Sequence, residues 1–371
     1  MTEAELPGLT AQVLWAAFAL ALAFGAIAQH TRFCTMGAVA DIVSMSDWTR
    51  MRAWILAIAV AVLGFNTMVA FGWVQAKNTL YAGPNVLWLS NLVGGLLFGF
   101  GMVLASGCGS KTLVRIGTGN LKSLVVFLVL GLTAYATLRG VTAVARVATL
   151  DTVSFTLAAG QDLPSLLAGS AGKSREWWAH AASVAIGLVL IGFVLARREG
   201  RSAEVWIGGV GIGTVVVGVW WISGRMGYLP EHPQTLEETF LATNSRRMES
   251  FSFVAPLAYT LDWLMLFSDK TRVLTIGIVS VFGVIAGSAV VALATRSFHW
   301  EGFRGAEDTA NHLVGGGLMG VGGVLALGCT IGQGLSGVST LAVGSFITLA
   351  ALIGGAVLGV RWQIWRMERA V

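Results

Sequence analysis

GGLLFGFGMVLASGC at residues 94–108 and GGGLMGVGGVLALGC at residues 315–329 are two copies of one segment. Aligned without gaps they agree at 10 of 15 positions, and both end on Gly-Cys. Each is an apolar, glycine-studded run followed at once by glycines and hydroxyls: Gly107-Cys108-Gly109-Ser110 in the first copy, Gly328-Cys329-Thr330-Ile331-Gly332-Gln333-Gly334 in the second. The spacing of Gly95 and Gly99, and of Gly316 and Gly320, lets helix backbones approach closely in lipid. The glycine clusters behind them predict helices that stop inside a membrane. Such ends free backbone N–H groups that can form a small anion-binding nest.

The rest of the chain supports a membrane reading. Of 371 residues 55% are hydrophobic and 12% charged, with a mean hydropathy of +0.75. Soluble domains carry about 25% charged residues. A hydrocarbon core about 30 Å thick needs about 20 apolar residues per helix. Nine runs meet that need, at roughly 10–28, 53–74, 88–106, 121–138, 177–196, 203–223, 273–295, 313–328 and 341–362. The first is preceded by Glu3 and Glu5 and lacks a basic leader, so it reads as a span and not a signal peptide. Stretches 30–50, 147–172 and 251–268 hold charges or a proline within apolar surroundings and read as re-entrant or interfacial helices. A spanning 251–268 would invert everything downstream.

Basic residues orient the spans. Arg50, Arg52, Lys111, Arg115, Lys122, Arg197, Arg198, Arg201, Arg361, Arg366 and Arg369 share one side if the N-terminus is outside and the C-terminus cytoplasmic. Arg225, Arg246 and Arg247 fall outside, accompanied by Glu231, Glu237, Glu238 and Glu249. On this count the two copies run in opposite directions. The expected fold is thus an all-α polytopic membrane protein, one domain over residues 1–371, whose halves at 10–146 and 203–362 are inverted repeats. Transporters of that plan bind substrate near the midplane, at broken helices.

Several functions are excluded by the same residues. The net charge of +5 lies in loops between spans and not in a soluble basic domain, which argues against nucleic acid. No phosphate-binding Gly-x-x-x-x-Gly-Lys-Ser/Thr run, no metal-ligand spacing and no cofactor motif occurs. Tryptophans near span ends, such as Trp73, Trp88, Trp177, Trp178, Trp362 and Trp365, read as an interfacial belt.

The three cysteines cannot form a closed disulfide set. A buried thiol is ordinarily a small hydrophobe. Cys108 and Cys329 stand apart, because they occupy equivalent repeat positions at expected helix breaks. Gly107, Gly109, Gly328, Thr330, Gln333 and Ser336 belong to the same two loops and are candidate pathway residues. Cys34 sits in Arg32-Phe33-Cys34-Thr35-Met36-Gly37, just beyond the first span, where Arg32 serves as an anion attractor or as a topology anchor. A thiol is a weak donor and a soft acceptor, which suits a sulfur-rich solute that must also leave.

The Arg32-Phe33-Cys34 element, the Ala105-Ser106-Gly107-Cys108 helix end and the Gly328 to Gly337 segment resemble the YeeE/YedE family of bacterial inner-membrane sulfur transport proteins. The resemblance covers most of the chain. It implies a thiosulfate importer in which Cys34, Cys108 and Cys329 pass the ion along by S–H···S contacts through inward-pointing loops. It also implies a separate, small TusA-type sulfurtransferase as a partner, since no such domain is fused here. Other relatives are associated with other sulfur or selenium species.

Two other readings stay open at this level. One is a membrane sulfurtransferase that forms a cysteine persulfide. No His or Lys adjoins Cys108 or Cys329 in sequence to activate a thiolate. The other is a generic anion channel that would tolerate loss of all three thiols.

Overall fold

The computed structural model describes residues 5–171 and 174–370. Fourteen α-helices and two small two-stranded antiparallel sheets build the described residues. In chain order the helices are α1 (Leu6–His30), α2 (Thr35–Met45), α3 (Thr49–Ala70), α4 (Trp88–Leu104), α5 (Gly109–Gly117), α6 (Leu121–Arg139) and α7 (Val141–Ala148). They continue with α8 (Leu163–Ala171), α9 (Arg175–Leu195), α10 (Ala203–Trp221), α11 (Ala255–Met265), α12 (Ile276–Ala294), α13 (Ala306–Leu325) and α14 (Val343–Ala370). A π-helical turn, Gly332–Gly337, joins the last two.

Eight helical stretches among the described residues are long and apolar enough to cross a membrane. The ninth expected span is α13, a 20-residue helix whose first turn carries Glu307 and Asp308. The three exceptional stretches all contain short helices. At about 1.5 Å rise per residue, the 11 residues of α2 or of α11 are too short to cross a core of about 30 Å. Residues 251–268 therefore do not span.

Helices α4 and α13, which carry the repeated segment, cross antiparallel at their glycines. A Cβ on Gly94 would stand 2.5 Å from Ala326 N, and one on Gly101 would stand 2.8 Å from Gly315 O. From the other side, a Cβ on Gly322 would meet Phe98 N at 2.6 Å. No side chain fits there, so the two backbones lie in direct contact.

The remaining contacts reciprocate around this crossing. Helix α1 packs on α12 as α10 packs on α3, and α4 packs on α14 as α13 packs on α6. Among the short elements, α2 contacts α3 and α14 as α11 contacts α12 and α6. Likewise α5 contacts α12 as the π-helical turn contacts α3. Helices α7, α8 and α9 lie between the two sets in sequence.

The bundle has two tied ends. At one, β1 (Asn85–Val86) pairs with β2 (Phe155–Thr156), and Asp162 bridges to Ala342. A second small sheet, β3 (Tyr228–Leu229) with β4 (Thr239–Phe240), lies in the 222–254 connection, which Thr79 and Met248 bridge to the loop before α4. At the other end, Lys122 lies 3.3 Å from Glu301 and 2.9 Å from Asp308, joining the start of α6 to that of α13.

Candidate functional site

Each cysteine sits just after a helix that ends in the same way. Helices α1, α4 and α13 give way to a residue in the left-handed region: Arg32 (φ 52°), Ser106 (φ 56°) and Leu327 (φ 58°). The next residue donates its N–H back to the helix: Phe33 to Ala28 O at 3.1 Å, Gly107 to Met102 O at 2.8 Å, Gly328 to Gly323 O at 2.8 Å. This turn closes the carbonyls of a helix end, usually with glycine as the left-handed residue. Here that residue carries a side chain in all three cases, at a cost on the order of 1 kcal/mol.

Cys34, Cys108 and Cys329 then stand at the start of the next helical segment, buried to 7, 1 and 0% exposure. The Cys34 thiol accepts the N–H of Gly37 at 3.4 Å, and the Cys329 thiol accepts that of Gly332 at 3.3 Å. The Gly332 N–H belongs to a loop expected to form an open anion nest; here the Cys329 sulfur caps it. The Cys108 thiol lies 3.3 Å from the Ser110 hydroxyl. A sulfur that accepts a backbone N–H keeps its own S–H free to donate. Each also faces the positive end of a helix or helical turn, which favours negative charge. Cys108 lies in electrostatic reach of both Cys34 and Cys329.

Two hydroxyls beside the cysteines are orphans. Thr35 and Thr330, each directly following a cysteine, are 2 and 0% exposed, and neither Oγ1 has a hydrogen-bond partner among the described residues. Buried hydroxyls rarely go unpaired, because the lost hydration costs about 1–3 kcal/mol.

The other sequence candidates divide by task. Gln333 donates to Ala326 O at 2.6 Å and accepts from Ser345 at 2.6 Å, so its amide braces the π-helical turn against α13 and α14. Ser336 is likewise spent on Phe251 O at 2.8 Å. A Cβ on Gly109 would press Phe253 O at 3.0 Å, so glycine lets the 251–254 segment lie against the start of α5. At Gly107 a Cβ would meet the Lys111 stem at 3.1 Å. Arg32 makes no hydrogen bond or ion pair among the described residues, and what the structure shows of it is its backbone role.

Residues 30–358 match the family described as sulphur transport. The chain belongs to that family.

Its relatives agree. A thiosulfate transporter TsuA from Spirochaeta thermophila is 25% identical over 379 residues, covering 92% of this chain and 97% of that protein. A thiosulfate transporter TsuA from Escherichia coli is 26% identical over 345 residues, covering 92% of each. The probable transporter YedE of Escherichia coli shares 32% identity over 117 residues, 32% of this chain and 27% of its own. The family and these relatives are transporters, which decides against the sulfurtransferase reading: the chain is a multi-pass membrane transporter and not an enzyme.

Several site residues of this family member escaped sequence reasoning. Thr35 and Thr330 are visible only once burial and pairing are known. Arg115 donates to the carbonyl of left-handed Ser106 at 2.8 Å and so holds the Cys108 turn. Lys111 stands in electrostatic reach of Cys34 and Cys108, a link its sequence position three residues after Cys108 hinted at. Phe24, Phe251 and Phe253 form a buried ring cluster, centroids 5.4 to 5.7 Å apart, beside the cysteine loops. Finally, α11 is the packing counterpart of α2, yet the residue at its N-cap is Val254, with no sulfur. The repeat is thus symmetric in backbone and asymmetric in thiols.

Proposed function

We propose that this chain imports thiosulfate, or a closely related small sulfur anion, across the bacterial inner membrane along Cys329, Cys108 and Cys34. The observation that carries the reading is the shared local device: three buried thiols, each two residues past a left-handed helix end and each at the start of a helical segment. The names of the two long relatives support the choice of anion.

The chemistry follows from the geometry. The terminal sulfur of thiosulfate is a soft acceptor, and each S–H can donate to it, while the helix starts offset the charge of the dianion. The orphan hydroxyls of Thr35 and Thr330 supply donors for its oxygens. Several weak, similar sites in series let the ion enter and also leave. The halves 10–146 and 203–362 act as inverted repeats about the α4–α13 crossing, each contributing a broken helix to the path. Charge bias places the N-terminus outside and the C-terminus in the cytoplasm, with Cys34 last on the inward route beside Lys111 and Arg50. A TusA-type sulfurtransferase receives the sulfur there.

The test is uptake of radiolabelled thiosulfate by cells stripped of their own sulfate and thiosulfate importers, with and without this chain. Uptake that depends on the chain is expected, with no labelled adduct on Cys329 after denaturation. Absence of uptake by well-expressed protein refutes the reading, and a stable adduct on Cys329 during turnover favours covalent transfer instead.

A further inference from the structure

At the end of the bundle that holds the two small sheets lies a cavity of about 220 Å³. Its wall includes Tyr81, Arg146, Ser245, Glu249, Ser252 and Tyr259, and it reaches Gly328, the residue before Cys329. Two features of this wall are unusual. First, Glu249 is a carboxylate on the way to an anion path, and among the described residues no cation lies within ion-pair distance of it. Its Oε1 accepts the Ser245 hydroxyl at 2.5 Å and the Ser245 N–H at 3.0 Å. Arg146, which lines the same cavity, is held 3.1 Å from Asp151. Second, Tyr81 is 6% exposed, and its hydroxyl has no protein partner among the described residues. It stands near enough to feel the charge of both Glu249 and Cys329.

We propose that Tyr81 and protonated Glu249 form an outer recognition site for a small sulfur dianion, each donating its O–H to the ion before it meets Cys329. The proposal rests on the transport reading above. An ionised Glu249 repels a dianion in so small a space, and protonation replaces that repulsion with a donor. Desolvation in the cavity pushes the Glu249 carboxyl above the usual carboxylate range, against the lowering effect of Ser245 and Asn244. Burial, with Cys329 and Glu249 nearby, pushes Tyr81 upward too, so it stays a donor throughout. The charged or titratable groups facing Glu249 are Tyr81 from the loop before α4, Tyr259 from α11, and Arg146 of α7 with its Asp151. Of these, Glu249 is the carboxyl that burial in the cavity pushes upward. Binding is therefore strongest at low pH and lost as pH rises through the raised value.

The test is thiosulfate uptake into proteoliposomes of the full chain, with equal pH on both faces, between about pH 5 and about pH 8. The wild type is expected to lose uptake with rising pH. Glu249→Gln, which is neutral and still a donor, is expected to abolish that dependence, whereas Glu249→Asp keeps it. Tyr81→Phe is expected to raise the half-saturating concentration roughly tenfold at every pH, as for loss of one hydrogen bond to a charged ligand. Wild-type uptake that is flat with pH and unmoved by Glu249→Gln and Tyr81→Phe overturns the site and leaves the transport reading standing. No wild-type uptake at any pH overturns both.

Discussion

Replacing Thr330 with valine separates stability from transport in a way few substitutions can. Valine has the shape of threonine without the hydroxyl, and Thr330 is fully buried with that hydroxyl unpaired. An unsatisfied buried hydroxyl costs the folded state about 1–3 kcal/mol, so Thr330→Val should stabilise the empty protein by about that amount. The same hydroxyl is assigned to an oxygen of the anion. A hydrogen bond to a charged partner is worth about 1.5–3 kcal/mol, so the half-saturating thiosulfate concentration should rise about 10- to 100-fold. Thermal unfolding of the purified protein in detergent gives the first number, and concentration-dependent uptake gives the second. Thr35→Val should behave alike. A Thr330→Val protein that melts earlier and transports normally refutes the reasoning, because its hydroxyl would then have been paired within the fold.

Further outcomes follow from the packing. Gly322→Ala places a Cβ 2.6 Å from Phe98 N; the α4 and α13 backbones must part, and a loss of about 1–3 kcal/mol should appear as reduced folded protein in the membrane. At Leu327 (φ 58°) glycine should be tolerated or stabilising, whereas Leu327→Val should lower both melting temperature and uptake, since a β-branched residue resists the left-handed turn that sets Cys329. Arg115→Met leaves the Ser106 carbonyl without its 2.8 Å donor and should reduce uptake more than it reduces protein abundance. Burial alone would raise the Glu301 and Asp308 carboxyls, yet Lys122 and nearby donors hold both below the usual range. Their contribution is thus present at neutral pH and lost as pH falls through the depressed values. Lys122→Met should flatten that acid side of the thermal-stability profile.

Much of this was legible in the sequence because hydropathy and repetition are local signals. The copies at 94–108 and 315–329 announced both the broken helices and their opposed directions. Expected span edges lay within a few residues of the observed ends for α4, α6, α9 and α10. A larger offset is at α13, which begins at Ala306 and not near 313, because Glu307 and Asp308 make its first turn polar while their partners Arg366 and Lys122 lie elsewhere in the chain. The site was harder to read. Cys34 shares its turn with Cys108 and Cys329, but Arg32-Phe33-Cys34 has none of the glycines that flag the other two, since backbone φ leaves no side-chain signature. Trp54 and Trp220 illustrate the same limit: they are buried at 2 and 0% exposure, Trp54 against Gly334 and Trp220 bonded to Ser339, and not part of a belt. Burial of Thr35, Thr330, Tyr81 and Glu249 is set by tertiary packing and leaves no local pattern in the sequence.

The central claim, that the anion moves by contact with three thiols set at helix starts, is tested most directly by replacing each cysteine with serine in proteoliposomes and measuring thiosulfate uptake. The account predicts that Cys34→Ser, Cys108→Ser and Cys329→Ser each lose most uptake while remaining folded, because an O–H cannot match the soft sulfur contact. Uptake that survives replacement of all three contradicts it.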